Sequence, residues 1–265
     1  MDAAAGPPRA SRLVIITFGW LGVVFLLAPL IVVFPVSLTP ERYLSMPADG
    51  ISFQHYAKLL SDPRWSQSIL TSLWIAILTT IAATALGTLC AIGLWRLNAR
   101  ITQYLRVLLF APLIIPPIVH ALAFYRTWID LNWLDTITGV VIAHTILCIP
   151  LVLITVSTSL SGFDRRIEQA ARSLGASNWT VLRRVIAPNI MPGIFAGAAF
   201  SFVTSWDEVI SVIFLTSRAV VTLPIVIWNS LSERVDPAVA AVSAAMILVT
   251  MAVVALRLAA SSRKI

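Results

Sequence analysis

The sequence predicts an all-α fold: a polytopic membrane protein with six transmembrane helices and both the N- and C-termini cytoplasmic. Three observations predict it. The chain is 58% hydrophobic and only 12% charged, with a mean hydropathy of +0.90, whereas soluble domains are roughly 45–50% apolar and about 25% charged. Six segments are long and apolar enough to cross a bilayer, which takes about 20 residues. Basic residues concentrate in alternate connecting segments, as the positive-inside rule requires.

The spans fall at about 13–36, 69–94, 107–125, 136–160, 191–215 and 238–260. The first follows Arg9 and Arg12, as a signal peptide would. It is longer than a signal h-region and no small-x-small pattern follows it, so it is expected to stay as the first helix. "DPRW" reads as a turn leading into the second span. The third contains "APLIIPPIV". Pro112, Pro116 and Pro117 each remove a backbone donor, so a bent or broken helix is expected there. The fifth, "MPGIFAGAAFSFVTSWDEVISVIFL", is expected as one helix. Gly193 and Gly197 form G-x-x-x-G, and Ser201 and Ser205 continue the spacing. Small residues at this period let helices approach closely in lipid.

With the N-terminus inside, the inner segments hold 13 of the 19 basic residues and the outer ones six. Seven acids lie outside and three inside. The formal charge of +7 is thus explained by orientation, without nucleic acid. The tails are 1–12 and 261–265, both cytoplasmic, and no outer segment is large enough to be a catalytic domain. Cys90 and Cys148 lie in apolar runs and read as small core residues. His55, His120 and His144 show no ligand spacing, so no metal site is expected.

The inner loop "SGFDRRIEQAARSLGASNWTVLRRVIAPNIMPG" is the most informative stretch. Ser161 and Asp164 form an S-x-x-D helix start. Ile167, Ala170, Ala171 and Leu174 then make one apolar face. Gly175 suits the position after a helix end, and Ser177 can cap a second helix bearing Val181, Leu182, Val185 and Ile186. Pro188 is expected to end that helix. A basic, amphipathic helix–glycine–helix loop fits either an interfacial helix on anionic lipid or a docking element for a soluble partner.

"EQAARSLGASNWTVLRRVIAP" resembles the EAA loop of binding-protein-dependent (MetI-like) ABC transporter permeases. Gly175 and Pro188 stand at the family's separation, and Ala170 and Ala171 match. Gln169 occupies the acid position with Glu168 just before it, and Val185 and Ala187 replace the usual Ile and Leu. "LAFYRTW", "SFVTSWDEVISVIFLT" and "TLPIVIWNSLSERVDPAVAAVSAAMIL" are similar to the second permease subunit of spermidine/putrescine-type systems, over about residues 60 to 260.

The resemblance implies a permease domain over 13–260 with its coupling loop at about 161–190. It implies a multi-pass protein of the bacterial inner (plasma) membrane, paired with a second permease subunit. A cytoplasmic ABC ATPase dimer and a periplasmic or extracellular solute-binding protein complete the importer. Glu168, Gln169, Ala170, Ala171, Gly175 and Pro188 would then belong to the ATPase-coupling loop. The chain lacks G-x-x-x-x-G-K-[ST], so it binds no cofactor on this reading, is no enzyme itself, and leaves ATP and Mg2+ to the partner ATPase.

Asp207 and Glu208 in "SWDEVI" stand alone in an apolar run. Intramembrane charges face a bundle interior or a wet cavity. At about 100° per residue, Glu208 lies roughly 60° to one side of Gly193 and Asp207 roughly 40° to the other, so both would face protein. With Trp206 they are candidates for the path of a cationic solute such as a polyamine. The competing readings are a basic partner on another helix, or the water boundary. Trp206 and Trp228, and likewise Tyr125 and Trp128, suit either cation–π contact or interfacial anchoring. A secondary transporter or channel for small organic cations is the alternative function. An intramembrane enzyme fits less well, because His144 has no nucleophile at convincing spacing.

Overall fold

The computed structural model describes residues 9–48, 50–97, 101–234 and 236–262. The expected tails at 1–12 and 261–265 fall largely outside these, as do Arg100, Arg263 and Lys264. Among the described residues there is no strand. In chain order the helices are α1 (Arg9–Ser37), α2 (Gln54–Ser61), α3 (Pro63–Arg96), α4 (Ile101–Ile114), α5 (Pro117–Leu131) and α6 (Ile137–Ser161). They continue with α7 (Arg165–Ser173), α8 (Asn178–Val181), a π-helical turn (Leu182–Ile186), α9 (Ala187–Asp207), α10 (Ile210–Leu215), α11 (Leu223–Arg234) and α12 (Ala238–Ser262).

Four stretches are long and apolar enough to cross a membrane: Leu13–Ser37, Pro63–Arg96, Ile137–Ser161 and Asn178–Asp207. The pair α4 and α5, bent by 102°, makes a fifth if it is counted as one broken span. The bend falls where the prolines predicted it. Pro116 takes φ −55, ψ 139 and Pro117 opens α5, a position where a missing N–H costs nothing.

The chain divides into two compact units, residues 1–66 with 227–265, and residues 67–226. In the first, α12 packs on α1 and α2. Lys58 donates to Asp236 at 2.6 Å, while the same carboxylate accepts the Ala238 N–H at 2.9 Å and so caps α12. The apolar side chains of α1 from Leu13 to Val32 are exposed, as a face turned to lipid or another subunit would be.

In the second unit α6 and α9 form the core. Gly193, Gly197, Ser201 and Ser205 of α9 are all buried. A methyl group on Gly197 would sit 2.7 Å from Thr155 Oγ1 and 3.0 Å from Val152 Cα, and one on Gly193 would collide with Ser159 and the Thr155 carbonyl. Gly87 of α3 meets Val152 in the same way, at 2.7 Å. Val152, Leu153, Val156, Leu160, Ile186 and Ile190 fill the resulting core. Cys148 is buried within it and Cys90 packs at its edge, both as free thiols.

Two expectations about the fifth span are corrected. Pro188 does not end a helix, because the chain runs helically from Asn178 to Asp207. The π-helical turn just before it opens the winding, with the Ala187 N–H bonding the Leu182 carbonyl. This makes room for the proline ring, and Asn189 Nδ2 donates to the Val185 carbonyl at 2.7 Å. At its other end, the helix expected to continue to residue 215 stops at Asp207, and α10 is a separate turn.

Gly197→Val should wedge α9 from α6, since the closest atoms include backbone. Overpacking of this kind costs about 1–3 kcal/mol. A lower melting temperature of the detergent-extracted protein, with Phe195→Val (an exposed site) near wild type, is the expected result.

Candidate functional site: the helix–glycine–helix loop and the break at the acid pair

The loop begins one turn later than expected. Ser161 is the last residue of α6, and Asp164 alone caps α7, accepting the Arg166 N–H at 2.8 Å. At the other end Gly175 adopts φ +81. Its N–H bonds the Arg172 carbonyl at 2.9 Å, and the Ala176 N–H bonds the Ala171 carbonyl at 3.1 Å. These two bonds are the Schellman motif, which needs a left-handed residue and so favours glycine. Ser177 then caps α8 by accepting the Thr180 N–H at 3.2 Å.

The expected apolar face of α7 does not lie on the chain's own core. Only Ala171 of that set packs inward. Leu174 is 90% exposed and Ile167 48%, and Trp179 on α8 is 67% exposed. Gln169, Ala170 and Pro188 are exposed as well. The inward side is occupied by Glu168, which is only 9% exposed. Arg172 donates to its Oε1 at 2.8 and 3.3 Å, and Arg96 at the end of α3 donates to the same atom at 3.2 Å. Arg165 lies 4.7 Å over the Trp95 ring and donates to the Trp95 carbonyl at 2.7 Å. The loop thus presents an apolar ridge outward from a polar, arginine-held base.

At the acid pair the wheel placement is overturned, because Glu208 is not helical. Asp207 is the exposed last residue of α9, and Glu208 is extended at φ −72, ψ 115. The Glu208 Oε1 accepts the Ser211 N–H at 2.8 Å. The carboxylate therefore caps α10, satisfying a donor that a free helix start leaves unpaired. Nearby, His144 Nδ1 and Ser205 Oγ share a hydrogen bond of 2.9 Å. Neither ring nitrogen of His120 has a hydrogen-bond partner among the described residues. Among those residues neither Asp207 nor Glu208 has an ion-pair partner either. Trp206 is stacked on Phe202 at 6.0 Å. Trp128, by contrast, is buried and donates to the Gly139 carbonyl at 2.9 Å, so packing claims it. Trp228 and Tyr125 are exposed.

Asp135, which the sequence did not single out, holds this region. It sits at φ +55 between α5 and α6. Its carboxylate accepts the N–H groups of Ser217, Arg218, Ala219 and Val220 at 2.9–3.1 Å. Its own N–H bonds the Leu215 carbonyl at 2.8 Å. The end of α10 and the loop after it are thereby tied to the start of α6. Burial alone would raise the Asp135 pKa, but the four backbone donors outweigh it and hold the group at about 2.

An all-helical bundle with a broken, acid-bearing helix and an outward helix–glycine–helix loop has the organisation of a membrane transport subunit. Its fold matches the crystal structure of a bacterial ABC transporter that imports the acidic polysaccharide alginate, with a TM-score of 0.72. That match covers 98% of this chain and 99% of the other at 17% identity. The family model described as binding-protein-dependent transport system inner membrane component matches residues 83–264. The chain belongs to this family and is an ABC transporter permease subunit. It is 31% identical over 232 residues to the spermidine/putrescine transport system permease protein PotC of Haemophilus influenzae, covering 88% of this chain and 90% of that one. It is 30% identical to the putrescine transport system permease protein PotI of Escherichia coli, over 84% of this chain and 82% of that one.

The Asp135 tie has a signed pH dependence. Its pKa is lowered on folding from the ordinary 3.8, so it stabilises the fold above that value. The contribution is lost as pH falls from 3.8 toward 2. Asp135→Ala should lower the melting temperature at neutral pH, with the gap to wild type closing over that acid range. Asp135→Asn, with one acceptor oxygen left, should fall between them.

Proposed function

We propose that this chain is one of two permease subunits of an ATP-driven importer in the bacterial inner membrane, and that its solute is a polyamine. On this reading residues 13–260 form the permease domain, and the chain crosses six times with both termini cytoplasmic. The bent pair α4–α5 counts as one crossing and α12 as the last. The bias of basic residues toward the inner segments supports that orientation.

The observation that carries the coupling role is the outward apolar ridge of Ile167, Leu174 and Trp179 on a loop whose turn is fixed by Gly175. A helix resting its apolar face on its own core would need no partner. This one offers that face to a cleft, and the partner we assign is the ABC ATPase, which binds ATP and Mg2+. A solute-binding protein supplies the opposite side. Gln169 and Ala170 lie on the exposed side and would meet the ATPase, while Glu168 sets the loop's posture from within.

The polyamine assignment rests on the polyamine permeases among the relatives and on two carboxylates without a basic partner among the described residues. The alginate importer shares the fold, so the fold does not select the solute. Asp207, exposed at a helix end, is free to meet an ammonium group. Glu208, half-buried, both caps α10 and places a second negative charge beside it. Trp206 lies one residue away.

Uptake of labelled putrescine and spermidine tests the reading in cells lacking this chain and other polyamine systems. Wild type should restore uptake. Asp207→Asn with Glu208→Gln should assemble normally and lose most of it. Unchanged uptake on deletion would remove the polyamine assignment and leave the permease class intact. Gly175→Val should insert normally yet transport poorly, because a left-handed residue with a β-branch costs about 1–2 kcal/mol. Wild-type uptake by that variant would count against a coupling role.

A further inference from the structure

Besides the short chain back to α6 and the packing of Ala171 on the core, two connections join α7 to the rest of its unit. One is covalent: the chain from α8 through the π-helical turn runs straight into α9. The other reaches α3 through side chains. α3 ends at Arg96, whose guanidinium bonds Glu168 of α7 at 3.2 Å. In return Arg165, the first residue of α7, donates to the Trp95 carbonyl at 2.7 Å. That carbonyl lies in the last turn of α3, where no intrahelical donor remains. Trp95 also packs edge-on against Phe163, 5.8 Å away. The end of one helix and the start of the other are reciprocally bonded.

We propose that Arg96 and Glu168 are positioning residues that pass displacement of the coupling helix to α3, so that α3 moves with the loop. The inference rests on the coupling reading above. Three features distinguish a link from a folding contact. α7 has its own cap in Asp164, its own Schellman motif at Gly175, and its own (i, i+4) pair between Glu168 and Arg172 at 2.8 Å. None of these needs Arg96. Removing Arg96 leaves Glu168 neutralised by Arg172, so no buried charge is stranded. Among the described residues the bond to Arg96 is the ion pair that leaves the loop, and charge-assisted bonds are the strong ones.

The test uses the complete transporter, with its partner permease and ATPase, in proteoliposomes. Labelled spermidine imported per ATP hydrolysed is the readout. Arg96→Ala should leave ATP hydrolysis within about twofold of wild type and lower import per ATP by about fivefold or more, the range of an ordinary coupling energy. Arg96→Lys should recover much of the ratio. Arg96→Ala combined with Glu168→Gln should be no worse than the more severe single change, since both cut the same link.

An unchanged import ratio in Arg96→Ala would overturn the inference, as would multiplying effects in the double variant. Loss of the assembled complex in both Arg96→Ala and Arg96→Lys would also overturn it, by making the pair a folding contact. If the wild-type complex itself couples no ATP to import, the importer reading fails instead.

Discussion

The rest of the larger unit depends on how closely α9 can approach α6. Gly193 and Gly197 let the Thr155 and Val152 backbone come within contact of the α9 axis. In a bilayer there is no hydrophobic drive to press two apolar helices together, so the gain comes from packing at short range and from bonds made across the seam. Here the seam is completed by two polar contacts, the Cys148 thiol on the Ser201 carbonyl at 3.6 Å and the His144–Ser205 bond. Fixing α9 against α6 fixes both of its ends. One end carries the helix–glycine–helix loop, and the other places Asp207 and Glu208 where α5, α6 and α10 meet.

The end at Asp207 is a constructed break. A helix that simply ran on would have carried Glu208 around its surface. Instead the backbone turns extended and the carboxylate caps the next helix. The Asp135 carboxylate gathers the four N–H groups that follow α10. α10 is thus held by an acid at each end, one preceding it and one from a distant loop. A six-residue helix would not persist alone, because nucleation costs more than so few bonds return. Irregular backbone within a membrane protein is tolerated where its polar groups are satisfied by protein, as the two carboxylates do here.

Much of this was legible in the sequence wherever the deciding interaction is local. Hydropathy located the long helices. Pro116 and Pro117 announced the bend between α4 and α5, since a missing donor acts on its own turn. Gly175 and Ser177 announced the loop's turn because caps are made by residues a few positions away. What was not legible is non-local. Nothing in "NWLDT" says that Asp135 will collect four donors about 80 residues on, although Asn132 and Asp135, three positions apart, are both residue types that suit the left-handed backbone they adopt. Nor does periodicity reveal that Glu168 will find Arg96, 72 residues away. Pro188 misled for a related reason. A proline stops an α-helix, but a preceding π-helical turn changes which carbonyl it must avoid. The helical wheel failed at Glu208 because a side chain that caps the next helix ends the helix the wheel assumes.

The proposed coupling role requires that the ridge on α7 and α8 meet an ATPase rather than lipid. A photoactivatable phenylalanine analogue at Leu174, the most outward of these side chains at 90% exposure, tests it directly in native membranes. The expected adduct is a cytoplasmic protein that carries the G-x-x-x-x-G-K-[ST] phosphate loop, in a yield that changes when ATP is added. Adducts to lipid alone, unchanged by ATP, would contradict the claim and return the loop to the membrane surface.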